Sequence, residues 1–539
     1  MPAPLRTSSP TRRLLLLALV LACGRAAEPA PAPAPAPAPA VAPEPAVVEP
    51  APAGPPTVHV AYHPDDLAVD LSLVTQLDLA FSATDRLERR AGVDDARSYE
   101  QACAGLDLAQ LAARAPRVTQ LRVSGCQGAV HVGLGSFAGV EALELADLTL
   151  DGVTMGRVAS LPRLRSLTLT RVKAGSEPVA VLGRLAIERL VLRELDADSP
   201  LAGVARQAPQ LREAALEGAW AGHDAVLALG EASKLRAIRL IDTRVGNFSL
   251  HQLKPLLELS SITWQGPTFN DHSPLYVRDL PIASFTCACP GLGDAGLKVL
   301  GRQLGLRELV LPQSRISGAG LAQLGKLERL AVVRIARRDP GPEGLAALAR
   351  LPALQELALS LPAPATLADP TLAPLGELVG LRRLTLDIPA LDDRAAPQLA
   401  TLTQLEQLDL GGTQISDLGL KSLAGLTALT ELKLHHTRVT NRGLANLAGL
   451  ARLELLELDH TDLVDDGVAH LAGLAALRVL RLDKTLITDA ALPHLAGMTR
   501  LEQLNLADTV VTSQGVAVLR QLPALRAVNL ARTRAAAGE

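Results

Sequence analysis

The chain has 539 residues, a formal net charge of -3, and aromatic side chains at only 2% of its positions. A chain so close to neutral lacks the basic footprint of a nucleic-acid-binding protein, so no nucleic acid partner is expected. A core with so few aromatic rings has to be built from aliphatic side chains, and this favours a repeat architecture over several conventional globular domains.

The N-terminus has the organisation of an export signal. Three arginines precede a short apolar run at residues 14–22, which is too short to cross a hydrocarbon layer of about 30 Å as a helix. Residues 1–22 are therefore predicted to be a signal peptide. The sequence VLAC that ends at Cys23 resembles the lipobox of bacterial lipoproteins. This resemblance implies cleavage before Cys23 and its lipidation, with ordinary signal-peptidase cleavage as the alternative.

Residues 23–56 form a linker rich in alanine and proline. Alternating prolines disfavour a helix and remove backbone donors, so an extended polyproline-like spacer is predicted. At about 3.1 Å per residue, its 29 residues from Glu28 to Pro56 could reach on the order of 90 Å. Together with the signal, it predicts an exported protein of the bacterial cell envelope, periplasmic or on the cell surface, which meets the membrane through its N-terminal lipid only.

The rest of the chain repeats one unit. Its clearest marker is a threonine that recurs every 24 residues, at Thr413, Thr437, Thr461, Thr485, Thr509 and Thr533. The unit reads LxxLxLxxTxITDxGLxxLAxLxx, with a strand-like period of two followed by helical spacing. Counting backwards in this register gives about 18 units over residues 118–534. Residues 57–117 are predicted to be an N-terminal cap with degenerate first repeats, and residues 535–539 a C-terminal tail.

These repeats resemble leucine-rich repeat proteins, specifically the bacterial Thr-type variety similar to the ribonuclease-inhibitor-like and cysteine-containing classes. The resemblance implies an α/β solenoid, a horseshoe with a concave parallel β-sheet and short convex helices. It also brings in an alternative, because F-box leucine-rich repeat proteins, which recognise substrates, have similar repeats. The export signal and the lack of an F-box-like helical module before Val118 disfavour that alternative.

The repeat register predicts a contact surface on the concave face. The first, fourth and sixth positions of each unit point inward, and the third, fifth, seventh and eighth point outward. In the C-terminal half, the outward positions carry mixed charge, which suits a polar protein or glycan partner. A solvated face without a partner is the alternative. The candidate residues are Glu431, Lys433, His435, His436, Glu457, Asp459, His460, Arg481, Asp483 and Asp508.

Two adjacent histidines stand out in the stretch ELKLHHTRVT, residues 431–440. Neighbouring strands lie about 4.8 Å apart, so His435 and His436 are predicted to share one polar patch with Asp459, His460 and Asp483. Neutral imidazoles with a carboxylate could ligate zinc or a similar ion. Because Lys484 belongs to the same patch and no recognised zinc motif is present, a metal-dependent module based on His435, His436, His460 and Asp459 is the less favoured alternative.

No nucleophile, phosphate-binding or dinucleotide motif is evident, so the sequence predicts a scaffold without enzymatic activity, catalytic residues or a cofactor. Cys103 and Cys126 are separated by nearly one repeat. They are predicted to form either a disulfide in an oxidising compartment or a reduced buried pair. Cys287 occupies the place of an inward leucine and is predicted to pack in the core.

Two further expectations concern the middle and the end of the stack. Trp264, Phe269 and Phe285 fall at inward positions, so they are predicted to fill the core. The segment 266–281 lacks the helical pattern and is predicted to make an irregular convex excursion. The last strand is followed by no recognisable capping unit, which predicts an open C-terminal sheet edge through which the protein could form oligomers.

Overall fold

The computed structural model describes residues 58–61, 67, 70–80, 106–126, 130, 132–175, 181, 185–197, 199–362 and 373–537. The predicted signal peptide, the linker, Cys23 and Cys103 lie outside the described residues. Among the residues described, no helix has the length and apolar character needed to cross a membrane.

The described residues form one continuous parallel sheet of 20 strands, in which each strand pairs with the next along the chain. The predicted fold class is confirmed. The first two strands lie within residues 57–117, the segment predicted to be an N-terminal cap with degenerate first repeats. The strands are β1 Val58–Ala61, β2 Gln76–Ala80, β3 Gln120–Ser124, β4 Ala142–Ala146, β5 Ser166–Thr170, β6 Arg189–Arg193, β7 Glu213–Glu217, β8 Ala237–Ile241, β9 Ser261–Gln265, β10 Ser284–Ala288, β11 Glu308–Leu311, β12 Val332–Ala336, β13 Glu356–Ser360, β14 Arg383–Asp387, β15 Gln407–Asp409, β16 Glu431–Lys433, β17 Leu455–Glu457, β18 Val479–Arg481, β19 Gln503–Asn505 and β20 Ala527–Asn529.

Short helices follow most strands, as the second half of the repeat predicts. The α-helices are Leu108–Arg114, Gly152–Ala159, Val204–Gln207, His223–Gly230, Asp294–Leu300, Gly318–Ala322, Gly341–Ala349, Ala396–Leu399, Asp417–Leu423, Asn441–Leu444, Asp465–Ala469, Ser513–Leu519 and Arg534–Ala537. The 3-10 helices are Leu134–Ser136, Pro200–Gly203, Asn247–Leu253, Ser273–Tyr276, Ala373–Glu377, Asp393–Ala395, Ala445–Leu447 and Asp489–Leu495. A separate two-stranded sheet joins Thr149–Leu150 to Lys173–Ala174.

The core is a stack of aliphatic side chains between the sheet and the helices. In the repeat of β16, the inward residues Leu429, Leu432 and Leu434 are all fully buried. Burying one such side chain stabilises the fold by roughly 1.5–3 kcal/mol. Because a single unit also has to order its whole backbone, the stack depends on contacts between neighbouring repeats.

The recurring threonine closes the turn that follows each strand. Thr437 Oγ1 donates a hydrogen bond of 2.7 Å to the carbonyl oxygen of Leu434, and Thr485 Oγ1 makes the same bond to Leu482. Both threonines are buried. The threonine recurs because its hydroxyl donates a hydrogen bond to a strand-end carbonyl that no longer pairs with the neighbouring strand.

A second recurring contact joins several helices to the repeat before them. The carboxylate of Asp417 accepts one hydrogen bond from the backbone N–H of Thr440, at 2.8 Å, and another from its hydroxyl, at 2.7 Å. We call this contact the carboxylate latch. The same latch joins Asp294 to Ser317, Asp393 to Ser416, Asp465 to Thr488 and Asp489 to Thr512.

The residues that receive the latch also begin the helices. Ser416 and Thr488 accept hydrogen bonds of 3.3 Å from the backbone N–H of Leu418 and Ala490, which is ordinary N-capping. Thr440 has no such side-chain cap bond. Its hydroxyl still bonds the carboxylate of the preceding repeat, so the latch is the more regular of the two contacts.

The aromatic side chains of the middle repeats form a buried cluster, as predicted. Trp264, Phe269 and Phe285 are fully buried or nearly so. Trp264 stacks on Phe269 with a centroid distance of 5.1 Å and meets Phe285 edge-on at 5.2 Å. The excursion predicted for residues 266–281 contains the 3-10 helix Ser273–Tyr276 in place of the usual α-helix.

The cysteines differ from the prediction at one point. Cys287 is buried as expected, but it forms a disulfide with Cys289 rather than serving as a simple packing residue. The two cysteines flank the last residue of β10, which brings their side chains together. Cys126 is fully buried, and its pairing with Cys103 stays a prediction because Cys103 lies outside the described residues.

The C-terminal edge of the sheet is less buried than its middle. β20 pairs with β19, and in the described part of the chain no further strand pairs with its other edge. Leu525, Val528 and Leu530 in this last repeat are only partly buried. Self-association through this edge stays a prediction.

Candidate partner-binding surface

The structure places the predicted charged residues on adjacent strands of the concave sheet. Glu431 and Lys433 lie on β16, Glu457 lies on β17 and Arg481 on β18, with Lys433 paired in register to Glu457 and Glu457 to Arg481. Residues in register on adjacent parallel strands present their side chains on the same face. These four residues therefore form one continuous surface.

Most charges of this surface are already matched to a neighbour. Arg481 Nη1 lies 3.2 Å from Glu457 Oε1, and Lys433 Nζ lies 4.0 Å from a carboxylate oxygen of Asp409. The side-chain amide of Gln407 donates to Glu431 at 3.0 Å. The surface thus presents ordered ion pairs rather than a patch of one sign.

A stronger charge cluster lies upstream and was not predicted. Glu356 on β13 accepts a hydrogen bond of 2.6 Å from Arg334 Nε on β12 and one of 2.7 Å from Arg383 Nε on β14. Burial by itself raises the pKa of Glu356, but the hydrogen bonds from Arg383 and Arg334 outweigh it, so the pKa lies below its usual range. All three residues occupy the third and fifth repeat positions, so the same register, extended upstream, would have found them.

This arginine–glutamate cluster and the predicted charges border one cavity. Its volume is about 390 Å³, and its side chains come from five successive strands, β12 to β16. The polar lining residues are Arg334, Glu356, Arg383, Thr385, Gln407, Asp409, Glu431 and Lys433. We call the outward-facing residues of β12–β18 the concave charged surface.

The predicted histidines lie at the rim of this surface, where each strand ends. His436 and His460 have φ values of 53° and 55°, and the eighth position of many other repeats shares this left-handed conformation. The backbone N–H of His436 donates to the carbonyl of Asp459, and that of His460 to the carbonyl of Asp483, both at 3.0 Å. We call these eighth-position residues the rim column. Its non-glycine members are Asp147, Arg171, Glu194, Asp242, Arg337, His436, His460, Lys484, Asp508 and Arg532.

The histidine side chains are in direct contact with one another. The rings of His436 and His460 stack with a centroid distance of 3.7 Å, and His435 meets His436 edge-on at 5.9 Å. His460 Nδ1 lies 3.1 Å from Asp459 Oδ2. Desolvation and the nearby His460 lower the pKa of His436.

The remaining predicted residues lie near this cluster or farther along the rim. Asp483 accepts a hydrogen bond of 2.5 Å from the Asn505 amide, and burial together with the Asp459 carboxylate raises its pKa. Asp508 is not part of the cluster, because it forms an ion pair with Arg532 of the following repeat.

Glu356 provides a test of how much the arginine cluster contributes to stability. We expect Glu356→Gln to lower the free energy of unfolding by about 1–3 kcal/mol at pH 7, because two charge-assisted hydrogen bonds to a nearly buried carboxylate are lost. Since the folded-state pKa is depressed, this stability is present above pH 4.5, the ordinary value, and is lost as the pH falls through the lower folded-state value. Urea unfolding of parent and variant at pH 7 and at acidic pH measures this difference in the free energy of unfolding. A difference that grows on acidification would contradict the assignment.

Comparison with known proteins supports the architecture. TLR13, solved in complex with ssRNA13, is 17% identical, with a TM-score of 0.52 over 78% of this chain and 68% of that chain. The fold is that of a leucine-rich repeat protein. Two bacterial matches have lower scores. An internalin from Listeria monocytogenes is 16% identical over 76% of this chain and 84% of its own, with a TM-score of 0.32. A leucine-rich repeat protein from Leptospira interrogans is 15% identical over 81% and 99%, with a TM-score of 0.39.

No protein-family model and no curated protein matches the sequence of this leucine-rich repeat chain. The structural likeness to TLR13 shows the fold alone.

Proposed function

We propose that this chain is a non-enzymatic leucine-rich repeat scaffold of the bacterial cell envelope that binds a protein partner through its concave charged surface. The observation that carries the proposal is the cavity of about 390 Å³ bordered by Arg334, Glu356, Arg383 and Lys433. A glycan is the second candidate ligand, because the same side chains can bond hydroxyl groups.

The ion pairs of this surface favour a protein partner. Arg334 and Arg383 are each about half exposed, although both bond the nearly buried Glu356. Their guanidinium groups therefore keep free donors for an incoming carboxylate, and Glu356 fixes their orientation beforehand. Preorganised arginines lose little side-chain entropy on binding and are frequent in the centres of protein interfaces.

Site-specific photo-crosslinking tests this proposal directly. A photo-reactive amino acid at Thr385, which lines the cavity, should capture a defined partner in cells. The same amino acid at Lys421, an exposed residue in the helix Asp417–Leu423, serves as the control and should not capture it. Equal capture at both positions, or none at Thr385, would contradict binding through the concave surface.

A charge reversal then tests the chemistry of recognition. Arg383→Glu should weaken binding of the crosslinked partner at least about tenfold, because it removes a donor and places a second carboxylate beside Glu356. Arg350→Glu, an exposed change after the helix Gly341–Ala349, should leave binding unchanged. If the captured ligand is a glycan, enzymatic deglycosylation will abolish capture and protease treatment will not.

Envelope anchoring has its own test. We expect Cys23→Ala to abolish lipid labelling and release the protein from the membrane fraction, because the lipobox resemblance makes this residue the lipidation site. Labelling with a fatty acid analogue followed by fractionation measures both effects. Retention of the parent protein in the cytosol would favour the F-box-like alternative. A parent protein that is exported but carries no lipid label would indicate ordinary signal-peptidase cleavage.

A further inference from the structure

Three groups that can bind a metal converge at the rim of the concave charged surface. One ring nitrogen from each of His436 and His460 and one carboxylate oxygen of Asp459 all lie within 4.8 Å of one another. We propose that these three residues bind a divalent transition-metal ion of the zinc class. This inference does not depend on the proposed partner, because metal binding can be measured on the protein alone.

The charge pattern of the rim column distinguishes this place from the rest of the column. Two other parts of the column pair opposite charges: Arg171 bonds Asp147 at 2.7 Å and Glu194 at 3.1 Å, and Arg532 pairs with Asp508. His436 and His460 instead lie next to each other, and the following member is Lys484. The two histidine rings stack at a centroid distance of 3.7 Å, and this brings one ring nitrogen of each within 4.8 Å of the other. Two imidazoles beside a carboxylate are side chains of the kind that ligate zinc.

The contact between Asp459 and His460 prepares two ligands. Nδ1 of His460 lies 3.1 Å from Asp459 Oδ2, which is close to the separation of two ligand atoms on one tetrahedral ion. Both atoms can bind the same ion when the proton between them is released, as metal binding to histidine generally requires. A ring nitrogen of His436 completes the set of three ligands.

Small side-chain movements bring these atoms to ligand distances. Zinc–nitrogen bonds of about 2.0–2.1 Å in a tetrahedral site place two ligand atoms roughly 3.3 Å apart. His436 is exposed, so its ring can rotate towards His460 without disturbing the core. Three protein ligands leave a fourth position on the solvent side, as in zinc sites that keep a water molecule.

Calorimetric titration of the untagged full-length protein with zinc chloride tests the site. We expect one saturable zinc site in the parent protein. The double variant His436→Gln/His460→Gln should bind zinc at least about tenfold more weakly. The control variant His470→Gln/His494→Gln, which changes two exposed histidines on the helical side, should retain parental affinity. Cobalt absorption should show tetrahedral nitrogen and oxygen coordination in the parent and control only. Absence of a saturable site, or equal loss in both double variants, would overturn the proposal.

A gain-of-affinity variant removes any ambiguity from misfolding. Lys484 is an exposed neighbour in the rim column, and its positive charge opposes a bound cation. We expect Lys484→Gln to tighten zinc binding about two- to fivefold, the range of a single exposed charge interaction. Unchanged or weaker binding would contradict a cation at this place. Thermal unfolding without metal should be the same for all variants.

Discussion

Replacing Trp264 with alanine is expected to lower the free energy of unfolding of the middle repeats by about 3–5 kcal/mol. The side chain is fully buried between Phe269 and Phe285, so its removal leaves a cavity that two rigid rings cannot fill. Because a solenoid need not unfold in one step, hydrogen exchange is the suitable measurement. The amides of β8–β11 should lose protection, while those of β16–β19 keep it.

The indole nitrogen allows a sharper comparison at the same position. In the described part of the chain, Trp264 Nε1 is buried without a hydrogen-bond partner. Trp264→Phe should therefore cost much less than Trp264→Ala, because it keeps an aromatic ring and removes an unsatisfied donor that costs about 1–3 kcal/mol. Trp220→Phe is the matched control, since Trp220 Nε1 donates to the Glu217 carbonyl at 2.8 Å. If Trp264→Phe is as damaging as Trp264→Ala, the cluster is not held by aromatic packing.

Gly443→Ala is the second change with a large expected effect, a loss of about 1–3 kcal/mol from overpacking. A Cβ atom at this position would overlap the Asp417 carboxylate oxygen that accepts the Thr440 N–H. Either the carboxylate latch breaks or the helix Asn441–Leu444 moves away from its neighbour. The midpoint of urea unfolding and exchange of the Thr440 amide measure the effect.

The control for this change is another helical glycine. Gly156 lies in the helix Gly152–Ala159, and a Cβ there would meet nothing within 4 Å. Gly156→Ala should stabilise the protein slightly, by up to about 1 kcal/mol, because alanine has the higher helix propensity. Similar effects of Gly156→Ala and Gly443→Ala would show that propensity, rather than the latch, governs position 443.

The repeat sequence predicted the fold because the spacing of its apolar residues determines which side chains pack in the core. An inward leucine recurs wherever a strand faces the core, so Leu432 on β16 and Leu456 on β17 were placed in register from their numbers alone. The position of β1 within the predicted N-terminal cap was not given, because the leucine pattern is degenerate at that end of the sheet. The disulfide between Cys287 and Cys289 was missed because the register assigned only Cys287 a clear inward position.

The sequence predicted where the charged residues of the candidate surface lie, but not which side chains they bond. The register correctly put Glu431 and Lys433 on the concave face, next to Glu457 and Arg481. It could not show that Glu356 binds two arginines at once, since that depends on side-chain rotamers and on the distance between three strands. The contact between His436 and His460 likewise follows from the left-handed backbone of the rim, which brings successive eighth-position side chains together.

The carboxylate latch couples neighbouring repeats on the helical side, in addition to the ladder of the sheet. The repeat of Asp417 is latched on both sides, because Ser416 bonds Asp393 of the repeat before it and Asp417 bonds Thr440 of the repeat after it. Opening that repeat therefore breaks two latches, and leaves a carboxylate unpaired in one neighbour and a backbone N–H unpaired in the other. A repeat at the end of a latched series loses only one such contact, so opening should start preferentially at the ends of these series.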